Sequence, residues 1–225
     1  MKTKSAIILP FGSIEQHSYH LPLGTDSFIA QALAEEAGKI TKTIVAPLSK
    51  IGFSPGLHTK FPGTITYRSL TFINIIFDIL DSLIQTGFKK ILILTAHGLN
   101  FSPLKTAVLD FLDKNDAHIL LCEYSELEKL KPLIEKGNGI HCTIVETSLM
   151  LYQRPDLVNM NKAVDEYNIP NYMVGKSEIT QTSKSGAIAN TSRSTKEKGE
   201  KYFKTAVKGL VNLIQRLENS PIIQK

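Results

Sequence analysis

Four apolar runs of strand length recur in the first part of this chain, and segments with helical periodicity lie between most of them. The runs cover residues 7–10, 44–48, 91–95 and 119–122. Strands that are apolar on both faces are typical of parallel sheets, in which helices cover each side. Because crossover helices between parallel strands give this same alternation, the pattern predicts an α/β fold with a mainly parallel sheet.

Apolar residues at helical spacing predict four helices that contact this sheet or one another. The expected ranges are 26–38, 70–86, a helix that follows Pro103, and 194–218. The apolar stripe on the last helix is typical of core packing, with a subunit contact as the alternative.

The composition is that of a chain able to bury a full core. Its 225 residues are 42% hydrophobic and 21% charged, which predicts one α/β domain over residues 1–225. The net charge of +5 comes mainly from lysines on expected helix surfaces and in the tail. Because aromatic interleaving and nucleic-acid-binding motifs are missing, this charge does not indicate a nucleic-acid partner.

The N-terminal apolar run is too short for the core of a signal peptide, and no segment approaches the roughly 20 apolar residues that span a bilayer. We therefore expect a soluble cytoplasmic protein with no membrane partner. Its two cysteines, Cys122 and Cys142, are expected to stay reduced, because disulfides are rare in that compartment.

Residues 12–26, GSIEQHSYHLPLGTD, concentrate acids and histidines directly after the first predicted strand. Glu15, His17, His20 and Asp26 stand among glycines and a proline, which suit a loop better than a helix or a strand. Carboxylates and imidazoles in one loop are suitable ligands for a divalent cation. A metal site or a catalytic site is therefore a better interpretation of this segment than a structural ion pair.

Two later segments carry further chemistry. His97 follows the third apolar run, in AHGLN, so it is expected at the same edge of a parallel sheet as the loop after the first strand. It can therefore complete a ligand set with Glu15, His17 and Asp26. Glu146 lies in the apolar segment GIHCTIVETSLML beside His141, and a buried carboxylate there needs a partner such as a metal or a proton-transfer role.

Two regions do not match regular elements. Residues 49–67 hold prolines and glycines in a loop longer than a simple connection, and such loops are often functional. Residues 165–193 are polar, and we expect either a lid, an oligomer contact or a surface loop there.

Four motifs in chain order resemble the creatininase (creatinine amidohydrolase) family of metal-dependent hydrolases. They are GSIEQHSYHLPLGTD, GFSPGLHTKFPGTIT, AHGLN and HCTIVETS, with a weaker match in STKEKGEKYF. The resemblance implies a three-layer α/β/α sandwich with a mainly parallel central sheet and a metal centre at its C-terminal edge. It also implies a homo-oligomer, with a hexamer expected.

The resemblance implies a centre with two divalent metals per subunit, which a mixed oxygen and nitrogen ligand set allows to be Zn, Mn or Fe. By matching positions, Glu15 and His97 would bind one metal, His17 would bind the second, and Asp26 would bridge both. His141 matches a position beside the substrate and is expected to donate a proton to the leaving nitrogen.

Several positions depart from the family pattern. Leu99 stands where creatininase has a metal-binding glutamate, which argues against creatinine as substrate and leaves the second metal short of a ligand. Glu146 is expected either to supply that carboxylate or to act as a base. Ser18 and Ala96 replace glycines, and Ile144 replaces a frequent glutamate, which brings side chains closer to the site.

The remaining histidines receive smaller roles. His58, with Ser18 and Leu99, is expected to shape the substrate pocket of this subunit or of a neighbour. His20 is expected beside the ligands, and His118 is expected to be structural.

The resemblance implies a metal-dependent amidohydrolase that cleaves a non-peptide C–N bond, in a cyclic amide or a formamide of a small molecule. Two alternatives stay open. One is a peptidase acting on a small modified peptide, and the other is a degenerate, non-catalytic oligomeric member of the family.

Overall fold

The protein is described by a computed structural model over residues 6–56, 58–167 and 183–221. Its strands are β1 (Ile7–Phe11), β2 (Ile44–Val45), β3 (Lys90–Thr95), β4 (His118–Glu123), β5 (Asp165–Glu166) and β6 (Ala189–Asn190). Its α-helices are α1 (Thr25–Thr41), α2 (Ser69–Gln85), α3 (Phe101–Lys114), α4 (Ile144–Gln153) and α5 (Lys196–Asn219).

The central sheet is parallel throughout its described strands. Its order is β2-β1-β3-β4, with Ile7 opposite both Ile44 and Ile91, and Ile91 opposite Ile119. The strands β5 and β6 form a separate antiparallel pair. The predicted mainly parallel sheet is therefore confirmed.

Alternate residues of each central strand enter two different cores. Ile8, Leu92 and Leu94 pack with α1, α4 and α5 on one face, whereas Leu9 and Ile93 pack with α2 and α3 on the other. This alternation follows from the two-residue period of a β-strand. The sheet thus lies between two helical layers, and the predicted three-layer α/β/α sandwich is confirmed.

The second strand is shorter than the predicted run of residues 44–48. Regular pairing stops at Val45, two residues before Pro47. The chain nevertheless follows β1, since Ala46 N donates to Ile8 O at 2.9 Å and Ser49 N donates to Pro10 O at 3.0 Å.

Helix boundaries differ from the predicted ones by a few residues. The first helix continues past Gly38 to Thr41. Gly38 therefore lies inside the helix, where it packs against Val45. The third helix begins at Phe101, so Pro103 lies inside its first turn, where a missing N–H costs little. The last helix begins at Lys196, behind a Thr195 side chain that caps it.

The region of residues 165–193 is described only in part. Residues 168–182 lie outside the described residues, so the expectation of a lid or oligomer contact stays a prediction. The described ends of the region form the β5–β6 pair. In the described parts of the chain, no helix is long and apolar enough to cross a membrane.

Candidate metal centre

The candidate centre lies at the C-terminal edge of the sheet, where β1 and β3 end side by side. Phe11 pairs with Thr95 at that edge, so the loop after β1 and the turn after β3 start from neighbouring positions. Parallel α/β sheets bind ligands at this edge. The two segments that carry Glu15 and His97 meet there despite their separation in sequence.

Three side chains form the first ligand group. His97 Nε2 lies 3.2 Å from Glu15 Oε2, and His97 Nδ1 lies 3.2 Å from Asp26 Oδ2. Glu15 and Asp26 are each 1% exposed and His97 is 5% exposed. One ligand atom from each residue lies within 4.8 Å of the others, a spacing that can hold one cation.

His17 forms a second group on the other side of Asp26. Its Nδ1 lies 3.3 Å from the backbone oxygen of Glu15, which leaves Nε2 directed at Asp26 Oδ1, 3.4 Å away. A histidine that donates one ring N–H to a backbone carbonyl and keeps the other nitrogen free is typical of a metal ligand. Asp26 therefore presents one oxygen to His97 and the other to His17.

Glu146 reaches the second group from the start of α4. Its carboxylate accepts a hydrogen bond from Thr143 N at 2.7 Å, and its own N–H donates to Thr143 Oγ1, so the two residues form a capping box. A Glu146 oxygen also lies within 4.8 Å of ligand atoms of His17 and Asp26. The cap holds the carboxylate at the position from which it can contact a cation.

Two more histidines contact Glu15. His58 Nδ1 lies 3.5 Å and His141 Nδ1 lies 3.6 Å from Glu15 Oε1, and their ring centroids are 4.5 Å apart. His141 Nε2 donates to Gln16 O at 2.8 Å, which leaves Nδ1 as the nitrogen that faces the centre.

Buried polar atoms in this centre have no hydrogen-bond partner among the described residues. They include both carboxylate oxygens of Glu15, Asp26 Oδ1 and His17 Nε2. Leaving such groups unpaired costs free energy, and coordination of cations would supply the missing partners. The residues present therefore fit a divalent metal, with a mixed set of carboxylate and imidazole ligands.

The pKa values reflect a buried, negatively charged centre. Burial raises the pKa of Glu15 to about 7, although His97 opposes the rise. Burial alone would lower the pKa of His17, but Asp26 raises it to about 10. Burial likewise opposes protonation of His97, yet Glu15 and Asp26 raise its pKa to about 9. Clustered carboxylates that stabilise charged histidines also attract metal cations.

The pKa values of His58 and His141, in contrast, are lowered. Burial, followed by the charge of His97, lowers the pKa of His58 to about 3. Burial and the charge of His17 hold the pKa of His141 well below its ordinary value. Both rings are therefore neutral near pH 7, each with a nitrogen facing Glu15.

The other predicted site residues lie around this centre. His20 is buried, with Nε2 3.1 Å from Thr147 Oγ1, and His118 lies away from the centre, with Nδ1 3.0 Å from Ser220 Oγ. Ser18 is half-buried with a positive φ of 58°, and Leu99 is half-buried in the turn after His97.

Three residues near the centre escaped prediction. Ser13 Oγ donates to Asp26 Oδ2 at 2.6 Å, and Ser54 Oγ lies 3.2 Å from His97 Nε2. The backbone oxygen of Gln16 accepts a hydrogen bond from His141 Nε2. Ser13 and Gln16 stand inside the acidic and histidine-rich segment, so their position was a usable signal. Ser54 comes from the loop of residues 49–67, and only the fold brings it to His97.

A family model described as creatininase, creatinine amidohydrolase, matches residues 1–214. The chain belongs to the creatininase family. The resemblance drawn from the four motifs is thereby confirmed, and with it the expectation of a metal-dependent hydrolase that acts on C–N bonds.

Curated relatives in this family have different activities. The chain is 24% identical to a creatinine amidohydrolase of Pseudomonas putida over 93% of this chain and 88% of that protein. It is 29% identical to a mycofactocin precursor peptide peptidase of Mycolicibacterium smegmatis over 93% and 84%. It is also 29% identical to a 3-dehydro-scyllo-inosose hydrolase of Thermotoga maritima, over 73% and 55%.

Solved structures share the fold. A manganese form of creatininase superposes with a TM-score of 0.88 at 23% identity, covering 96% of this chain and 92% of that one. A zinc–zinc form of a creatininase mutant gives a TM-score of 0.86 at 23% identity, with the same coverage.

Proposed function

We propose that this protein hydrolyses a non-peptide C–N bond of a small molecule, a cyclic amide or a formamide, with two divalent metals in the centre described above. The observation that carries the proposal is the carboxylate of Asp26. Its two oxygens face two different histidines, at 3.2 Å and 3.4 Å, as a bridge between two cations requires.

The ligands divide into two sets that share Asp26. Glu15 and His97 would hold one metal, and His17 and Glu146 would hold the other. Glu146 takes the place of the carboxylate that the family pattern puts at Leu99. The manganese and zinc–zinc forms of creatininase support Mn or Zn, while the ligand set also allows Fe.

A bound divalent metal would lower the pKa of water towards about 7 and polarise the substrate carbonyl. His141 would then manage the proton. Its Nε2–H is committed to Gln16 O, so Nδ1 is the atom that accepts a proton from the attacking water. The protonated ring can return that proton to the leaving nitrogen. His58, neutral beside the same Glu15 oxygen, would pack against the His141 ring and form part of the same side of the pocket.

The test is a formate-release assay with formylated pyrimidines, run beside a creatinine assay on the metal-loaded protein. We expect formate release, with creatinine turned over poorly because Leu99 replaces a glutamate. Efficient formation of creatine would overturn this substrate ranking. If neither the formylated pyrimidines nor creatinine are hydrolysed, the small-molecule form of the proposal fails.

A peptidase acting on a small modified peptide is the second candidate. The curated relatives support this candidate, because they include a mycofactocin precursor peptide peptidase at 29% identity beside the creatinine amidohydrolase at 24%. Mass spectrometry of short peptides after incubation with the enzyme separates the two candidates.

The proposal also includes a homo-oligomer, with a hexamer expected from the family resemblance. Light scattering of the purified chain measures this directly. A degenerate, non-catalytic member would instead retain the fold but bind well under one metal per chain, which elemental analysis detects.

A further inference from the structure

Gln16 stands between two proposed metal ligands, yet it is itself no ligand in the proposed sets. It is 3% exposed, and both of its backbone polar groups are bound. Its N–H donates to Thr64 Oγ1 at 3.0 Å, and Thr64 Oγ1 in turn donates to His58 O at 2.7 Å. Its carbonyl accepts from His141 Nε2 at 2.8 Å. One residue therefore connects the segments that carry His58 and His141.

The side chain of Gln16 is bound at both ends as well. Nε2 donates to Gly186 O at 3.2 Å, and Oε1 accepts from Ser18 N at 3.0 Å. These partners fix the orientation of the amide, because a carbonyl oxygen only accepts and a backbone N–H only donates. Ser18 has a φ of 58°, so this bond holds the residue after His17 in a conformation that is costly for a side chain other than glycine.

The approach of Gly186 is close enough that only glycine fits. A β-carbon at Gly186 would collide with the Gln16 amide, and the residue has a φ of 85°. Two residues further on, Ile188 N donates to His141 O at 3.0 Å. The segment of residues 186–188 therefore contacts the Gln16 side chain and the His141 backbone together.

We propose that Gln16 is a positioning residue, which fixes the imidazoles of His17 and His141 relative to each other by joining the His17 turn to residues 186–188. The two rings have centroids 4.6 Å apart, so a small shift of either segment changes the space between them. Gln16 acts through hydrogen bonds to these segments and contacts neither metal in the proposed ligand sets. The catalytic consequence rests on the proposed function, but the positioning itself does not.

The test compares Gln16→Met with a matched control, Gln85→Met, at an exposed position in the last turn of α2. Methionine keeps the length of the side chain and removes both amide hydrogen bonds, while the backbone bonds of residue 16 can still form. The first measurement is the histidine proton–nitrogen NMR spectrum of the metal-free protein, with the His141 signal assigned by His141→Asn. The second is calorimetric titration with Mn²⁺.

In Gln16→Met, we expect the His141 Nε2–H signal to shift and its solvent exchange to rise by about tenfold, while the far-ultraviolet circular dichroism stays native. We expect Mn²⁺ affinity to fall by about tenfold, the lower end of the loss seen when hydrogen bonds around a metal site are removed. Gln85→Met should change neither quantity. If Gln16→Met does not fold, Gln16→Glu replaces it, because glutamate keeps the acceptor for Ser18 N and loses the donor to Gly186 O.

A folded Gln16 variant with an unchanged His141 signal and unchanged Mn²⁺ affinity would overturn the positioning role. These measurements need no substrate. If they give the expected result while no C–N substrate is hydrolysed, the proposed function fails and the positioning role of Gln16 stands.

Discussion

Asp26 connects the two halves of the centre through a single carboxylate. It is 1% exposed, and the positive charges of His17 and His97 outweigh burial and hold its pKa well below the ordinary value. Ser13 adds a hydrogen bond to the oxygen that faces His97. A carboxylate with a lowered pKa in this position is suited to bridge two cations.

Asp26→Asn should therefore abolish both metal sites, because an amide supplies only one neutral oxygen ligand. Elemental analysis after reconstitution is expected to fall from about two metals per chain to below about 0.5. Glu146→Gln should retain about one, since only the second set uses Glu146. Asp113→Asn, at an exposed position on α3, serves as control. Full metal content in Asp26→Asn would contradict the bridging role.

Ser18 shows how a departure from the family pattern acts locally. The family usually has glycine there, and the structure shows why glycine suits this position. The backbone φ is 58°, and the Ser18 hydroxyl is buried without a hydrogen-bond partner among the described residues. Left-handed backbone costs a serine about 1–2 kcal/mol, and glycine loses roughly 0.5–1 kcal/mol more entropy on folding.

Ser18→Gly should consequently raise the free energy of unfolding by about 0.5–1 kcal/mol. Urea denaturation of the metal-free protein measures this change. A loss of stability would mean that the Ser18 hydroxyl makes an important contact.

The contact between α4 and α5 depends on a glycine that the sequence pattern did not single out. A β-carbon at Gly199 would collide with the backbone oxygen of Ser148, whereas one at Gly209 would meet only the Leu127 side chain, at 3.2 Å. Both glycines lie on α5. The backbone cannot move aside as easily as the end of a leucine side chain.

Gly199→Ala should destabilise the protein by about 1–3 kcal/mol through overpacking. Gly209→Ala should be neutral or stabilising by up to about 1 kcal/mol, because alanine has the higher helix propensity. Thermal unfolding of the two variants makes the comparison. Equal effects would show that close approach at Gly199 does not limit the packing of these helices.

The β5–β6 pair is anchored by a carboxylate with several donors. Glu166 accepts hydrogen bonds from the Ser183 and Ser185 hydroxyls and from the N–H groups of Lys184 and Ser185. Burial acts to raise the pKa of Glu166, but these bonds lower it below the ordinary 4.5. Its contribution to stability is therefore present above pH 4.5 and is lost as the pH falls through the lowered pKa.

Glu166→Gln should be less stable than the wild type at pH 7, and the difference should shrink as the pH falls below about 4. Urea unfolding at several pH values checks this, with the exposed Glu128→Gln as control. A difference that stays constant with pH would exclude the carboxylate as its cause.

For the molecule as a whole, the sequence was sufficient for the layers and for the edge of the sheet at which the candidate ligands Glu15, Asp26 and His97 meet. Apolar runs are local signals, and the parallel-sheet rule then brings His97 to the loop that carries Glu15 and Asp26. The second strand was predicted, but its early end at Val45 was not, because the apolar run continues to Leu48. The contacts of Ser54, Gly186 and Gln16 were missed because they join segments far apart in sequence. No local sequence pattern shows which of these segments meet in the fold.

The most direct test of a two-metal centre is anomalous diffraction from crystals grown with Mn²⁺. Two peaks are predicted, about 3.5–4 Å apart, one on either side of Asp26. One peak should contact Glu15 and His97, and the other should contact His17 and Glu146. Crystals saturated with Mn²⁺ that give no peak beside Asp26, or a single peak bound by only one set, would contradict the account.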